Sequence, residues 1–160
     1  MEPRISSPAL TVPGLMDALQ TLSRRANHAA TQSGLPQATL DLVSLRASQI
    51  NGCAVCLDMH TRAAKKAGET DERLSTLAAW REAPYFTEAE RASLALTEAG
   101  TRIADRANPV PDEVFEEAAR HYDGPALAAL IVAIATINTW NRLNVITGQI
   151  AGEWTAQWAS

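Results

Sequence analysis

Aromatic side chains are scarce in this chain of 160 residues: two Phe, two Tyr and four Trp make up 5% of it. β-Sandwich and barrel cores draw on aromatic and β-branched residues, whereas this composition is 46% apolar and rich in Ala and Leu. Packed helices are therefore favoured. There is no run of Lys and Arg and the net charge is −4, so neither a nucleic-acid backbone nor an anionic membrane is an evident partner. An uninterrupted apolar span of about 18 residues, the mark of a transmembrane helix, is also missing. The first residues, Met1-Glu2-Pro3-Arg4-Ile5-Ser6-Ser7-Pro8, lack the basic segment and apolar run of a secretory leader, which makes a reducing cytoplasm the expected compartment. No Gly-rich phosphate loop, dinucleotide fingerprint or long internal repeat is seen, so nicotinamide and flavin cofactors are not expected. The length suits one domain that buries roughly two-thirds of its unfolded surface without a stabilising disulfide or metal.

Cysteine is the scarcest informative residue, and both copies lie in one stretch: Gln49-Ile50-Asn51-Gly52-Cys53-Ala54-Val55-Cys56-Leu57-Asp58-Met59-His60. Asn51-Gly52 reads as the break between two helices, which places Cys53 at a helix start, where unpaired N–H groups and the dipole favour a thiolate. In a helix, Cys53, Cys56 and His60 stand at i, i+3 and i+7 and share one face. His60 is then the nearest base to Cys56, while helix-dipole reasoning alone makes Cys53 the stronger thiolate.

Other uses of these residues fit less well. A zinc site built on Cys53, Cys56 and His60 needs a fourth ligand, which His28, His121 or Asp41 would have to bring from elsewhere. Haem attachment requires His directly after the second Cys, where Leu57 stands. A permanent bridge across so short a loop would stabilise little. Two buried small hydrophobes would not need the neighbouring His. Thiol redox chemistry is left, and no metal is assigned.

The run Leu45-Arg46-Ala47-Ser48 through His60, with the later Trp140-Asn141-Arg142-Leu143, closely resembles the alkylhydroperoxidase D-like proteins of the carboxymuconolactone decarboxylase superfamily, over roughly residues 15–150. The resemblance implies a thiol-dependent peroxidase in which Cys56 attacks an organic hydroperoxide and becomes a sulfenic acid. Cys53 then condenses with it, and an external dithiol, a thioredoxin- or lipoyl-type reductant, reopens the disulfide. It also implies a proton relay. A Glu twelve residues before the first Cys serves there in the family, where this chain has Asp41, and Val55 stands where some relatives carry a second His. The sequence reading places reduction at Cys53, taken as the more exposed sulfur. A cofactor-free lactone decarboxylase and a non-enzymatic redox sensor are the alternatives, and the Cys-x-x-Cys argues against the first.

Apolar periodicity outlines an all-α bundle of six to seven helices over residues 15–150, with an extended arm before it and a tail over 151–160. Expected helices run from Leu15 to near Gly34, from Leu35-Pro36 to Ile50, from Cys53 to Lys66, and from Asp71 to about Arg81. Three more are expected from the Thr87/Glu90 capping box to about Ala107, from Pro111 to about Tyr122, and from Ala126 to about Gln149. Tyr85 and Phe86 are candidates to line a pocket above the cysteines, and Arg142 to pair with a buried carboxylate or face the site. The last helix is apolar on more than one face, and Trp154 and Trp158 are four apart in the tail. Together these point to a homo-oligomer, a trimer or hexamer.

Overall fold

The computed structural model describes residues 2–104 and 106–152, and every regular element among them is helical. The helices are α1 (Pro8–Thr11), α2 (Leu15–Gln32), α3 (Gln37–Asn51), α4 (Ala54–Lys66), α5 (Asp71–Thr76), α6 (Glu88–Thr101), α7 (Asp112–His121) and α8 (Gly124–Thr147), with a 3-10 turn at Leu77–Ala79. The expected all-α bundle is what forms.

α3 and α8 are its centre. α3 packs on α8, α6 and α4, so it is buried on several sides, from Leu40 through Asp41, Leu42, Val43 and Leu45 to Ala47 and Ser48. α8 lies against α2, α3 and α6. Its 24 residues are long and apolar enough to cross a bilayer by length and composition, but half of that apolar window is buried inside the protein, as befits a core helix. One core cluster joins Leu40, Val43, Leu96, Leu127, Leu130 and Ile134. A second gathers Leu42, Leu45, Leu77, Trp80, Phe86 and Leu94 on the far side of α3.

Local signals explain most helix ends. Thr87 and Glu90 close a full capping box at the start of α6, and the Thr70 hydroxyl accepts from the Arg73 N–H at the start of α5. Three differences from the sequence reading have packing causes. α6 stops at Thr101, which is buried and whose hydroxyl accepts from Asn138, whereas Ile103 is half exposed and gains nothing from further coiling. The arm is not wholly extended: α1 makes one turn that buries Ala9, and the Arg4 N–H donates to the Thr147 carbonyl at 2.8 Å, tying the arm to the end of α8. Finally, Phe86 belongs to the second core cluster under the Arg73 guanidinium, not to the cluster around the cysteines. Trp154 and Trp158 lie outside the described residues.

Candidate active site

The turn that presents the thiols is set by a single glycine. Gly52 has φ +67°, and around it the Cys53 N–H donates to the Ser48 carbonyl at 3.0 Å and the Gly52 N–H to Gln49 at 3.4 Å, the pairing of a Schellman stop. A side chain at Gly52 would meet open space, so only the backbone conformation selects glycine there, by about 1–2 kcal/mol. Cys53 thus closes α3 and is also the N-cap of α4, with its carbonyl taking the Leu57 N–H at 3.0 Å. Its sulfur stands at the positive end of α4, and Cys56 follows one turn inside.

Both thiols are free and buried, Cys53 at 1% and Cys56 at 4% exposure, in a small cluster with Ala47, Val55 and Ile137, flanked by Met59 and Trp140. Neither residue is open to solvent, so the expected exposure of Cys53 is not seen in this chain. Interaction with the neighbouring Cys56 side chain above all brings Cys53 down to about 6 against the opposing effect of burial. The same interaction, with burial and the neighbouring charge, pushes Cys56 up. The two thiols titrate as a coupled pair, with the first proton favoured to leave Cys53 and the second held back. Asn144 of α8 donates from Nδ2 to Cys56 Sγ at 3.4 Å.

The other expected site residues are not gathered on the sulfurs. His60 shares the helix face of Cys56 but hydrogen-bonds neither thiol among the described contacts. It is partly exposed, yet enough protein surrounds its ring for burial to bring it to about 4, so it is neutral at pH 7. Asp41 lies ten residues, roughly 15 Å of helix, before the end of α3 at Asn51. It is buried, not a solvated surface carboxylate, and accepts from Gln37 Nε2 at 3.0 Å; burial raises its pKa. His28 is exposed on α2, and His121 contacts Glu117 one turn before it. No three His, Cys, Asp or Glu side chains among the described residues gather as a metal site. Arg142 is exposed and donates to its own helix at the Asn138 carbonyl.

Sequence reasoning gave no role to the asparagines opposite the thiols. Asn51 Nδ2 donates to Asn138 Oδ1 and to Asn141 Oδ1, both at 2.9 Å, and Asn141 Nδ2 donates to Ser48 Oγ at 3.1 Å. These bonds clamp the end of α3 to α8, directly before the Gly52 turn. The available signal was the three-residue spacing of Asn138, Asn141 and Asn144 in an otherwise apolar helix, which puts polar groups on an inward face. Two surface grooves, of about 540 and 370 Å³, are lined by other residues than Cys53, Cys56 and His60.

A helical bundle that displays a Cys-x-x-Cys pair at the junction of two helices defines a class of small thiol proteins, and comparison with known proteins identifies which. Residues 13–99 match the carboxymuconolactone decarboxylase family, and the chain belongs to it, with the AhpD-like form of its fold. It is 41% identical over 120 residues to the uncharacterised protein YdfG of Bacillus subtilis, covering 75% of this chain and 80% of that one. It is 32% identical over 114 residues to the uncharacterised protein YnjA of Escherichia coli, 71% of this chain and 60% of that one. Among solved structures, a protein of unknown function from Agrobacterium tumefaciens, provisionally described as an antioxidant defence protein AhpD, superposes with a TM-score of 0.82 at 35% identity, covering 94% and 98% of the two chains. The debrominase Bmp8 superposes with a TM-score of 0.79 at 20% identity, covering 93% and 77%, which shows the shared fold.

Proposed function

We propose that this protein is a thiol-dependent peroxidase that reduces organic hydroperoxides. The observation that carries the reading is the pair of free, buried thiols packed in one cluster at the start of α4, where the first proton is favoured to leave Cys53. Membership of a family whose AhpD-like structural relative is linked to antioxidant defence supports it. In the proposed cycle the Cys53 thiolate takes the Cys56 proton as Cys56 attacks the distal oxygen of ROOH, giving Cys56 sulfenic acid and RO⁻. The alkoxide takes that proton from Cys53 and leaves as ROH. Cys53 then attacks the Cys56 sulfur and expels hydroxide, so Cys53–S⁻, Cys56–SH and ROOH become a disulfide, ROH and OH⁻. His60, neutral and one turn from Cys56, is retained as a relay group acting through water, and the contacts of Asp41 leave it outside the scheme. An external dithiol of the thioredoxin or lipoyl type closes the cycle. Cys53, with the lower pKa, is the better leaving group, which directs the incoming thiol to Cys56.

The test is steady-state consumption of cumene hydroperoxide with dithiothreitol as reductant, with mass analysis of the oxidised chain. Many turnovers per chain and a product two hydrogens lighter, with the bond mapped to Cys53–Cys56, are expected. A single stoichiometric oxidation that then stops would identify a redox switch instead, and no reaction would remove the peroxidase reading.

Self-association into a trimer or hexamer is part of the proposal. α8 exposes Ile131, Val132, Val145 and Ile146 on its outer side, and the arm adds Ile5, Leu10 and Val12. Apolar exposure of this kind is usual for an interface. A monomer by analytical ultracentrifugation at micromolar concentration would refute it.

A further inference from the structure

The cycle above assigns no group in direct contact with Cys56 other than its partner sulfur, yet an amide touches the reacting atom. The asparagines of α8 descend its inward face toward the Gly52 turn. Asn138 Nδ2 donates to Thr101 Oγ1 at 3.1 Å and to the Ile134 carbonyl at 2.9 Å, and Asn141 Nδ2 donates to Ser48 Oγ. Both also accept from Asn51, so their amides are engaged in the framework. Asn144 differs. It is 8% exposed, and the contact of its amide nitrogen is the Cys56 sulfur at 3.4 Å. Its backbone carbonyl ends α8 by accepting the Gln149 N–H at 3.0 Å, which fixes the helix end from which the side chain projects.

We propose that Asn144 is a catalytic residue of the thiol site: its amide N–H holds the Cys56 sulfur beside Cys53 and stabilises the negative charge that gathers on that sulfur as its proton leaves. A hydrogen bond from an amide to a neutral thiol is weak, and to a thiolate it is charge-assisted and roughly twice as strong. Asn144 therefore favours the charged state over the resting one, which is the condition for a rate effect. A neutral donor provides this help at every pH, unlike an imidazole. Val55 is apolar and buried, and His60 is not bonded to sulfur, so the donor reaches the site from α8 across the bundle. The direction of the effect agrees with the influence of Asn144, and less strongly Asn141, in lowering the proton affinity of each thiol.

The catalytic consequence rests on the thiol peroxidase reading, whereas the hydrogen-bond role can be measured without peroxide. In a Cys53→Ser background no second thiol shares the proton, and the rate of iodoacetamide alkylation against pH reports Cys56 alone. Adding Asn144→Leu, of similar size but without a donor, is expected to move the midpoint up by about one unit, a tenfold loss of thiolate at a fixed lower pH. Asn144→Gln, which keeps an N–H, is expected to recover at least half of that shift. An unchanged midpoint in Asn144→Leu, or equal shifts in the Leu and Gln variants, overturns the proposal. Asn144→Asp provides the same test should the Leu variant not fold: its carboxylate cannot donate, so the midpoint must rise, and a midpoint at or below the Cys53→Ser value overturns the proposal. Cumene hydroperoxide turnover by the wild-type chain is measured separately. Its absence would defeat the peroxidase reading and leave the alkylation result standing.

Discussion

Cys56→Ser and Cys53→Ser are each expected to lower hydroperoxide turnover by roughly a thousandfold or more, the scale of losing a member of a catalytic unit. They should fail differently. In Cys53→Ser the sulfenic acid forms on Cys56 and has no resolving partner, so a dimedone-type probe should label position 56 once per chain. The main influence raising Cys56 is its interaction with Cys53, so its proton affinity should fall in this variant and the first oxidation survive. In Cys56→Ser the main influence that lowers Cys53 is removed, so its thiolate fraction should fall, and no sulfenic acid should be trapped at the peroxide-attacking position. Labelling of Cys53 in Cys56→Ser, with none of Cys56 in Cys53→Ser, would exchange the two roles. The wild-type pair provides the pH signature. Its first proton should leave near pH 6, because Cys53 lies at about 6. Alkylation should accelerate as pH rises through that value and then level off, since Cys56 keeps its proton past neutrality. A midpoint near 8.5, the ordinary thiol value, would mean that the sulfurs share no proton.

The elements read correctly from sequence are those with local causes. Gly52 marks a Schellman stop, Thr87 and Glu90 a capping box, and Lys65 and Lys66 a helix end, each detectable within a few residues. What failed needed knowledge of neighbours. That α3 is buried on several sides was not legible, because α4 and α6 cover the flank holding Leu42 and Leu45 and both come later in the chain. The spacing of Cys56 and His60 places them on one face, and whether their polar atoms meet depends on side-chain directions that i,i+4 spacing does not fix. The asparagine clamp joins Asn51 to Asn138 and Asn141 across about ninety positions of chain, and nothing in either segment alone names the other. Arg46 stands in the motif that carries the family resemblance, yet its use became visible only in three dimensions, on α6.

That use leads to the largest expected change in stability. Glu98→Ala should lower the unfolding free energy by about 3–5 kcal/mol, the range for removing one partner of a buried ion pair. The Glu98 side chain is 10% exposed and its carboxylate accepts from Arg46 Nε at 2.7 Å, Trp80 Nε1 at 2.9 Å and Arg81 at 2.8 Å. Burial alone would raise its pKa, but the indole and the two guanidinium groups reverse this and hold it at about 2. Removing the carboxylate leaves the nearly buried Arg46 charge without its counter-ion and the Trp80 N–H without its acceptor, which is the costly outcome. Arg81 is mostly exposed, so Arg81→Ala should cost less than about 1 kcal/mol. For a chain of this size the Glu98→Ala loss corresponds to a fall in Tm of roughly 10 °C. The pH dependence has a definite sign. Because the folded pKa lies below the unfolded value of 4.5, the stabilisation is complete above about 4.5 and is lost as pH falls through about 2. Glu98→Ala should flatten that part of the acid unfolding curve. The effect should also reach the thiols, because Arg46 donates onward to Gln49 Oε1 at 2.9 Å, and Gln49 lies in the last turn of α3, immediately before the Gly52 turn that carries Cys53. Thermal unfolding within about 1 kcal/mol of wild type would show that the bundle repacks around the missing carboxylate and that this network does not hold α3 to α6.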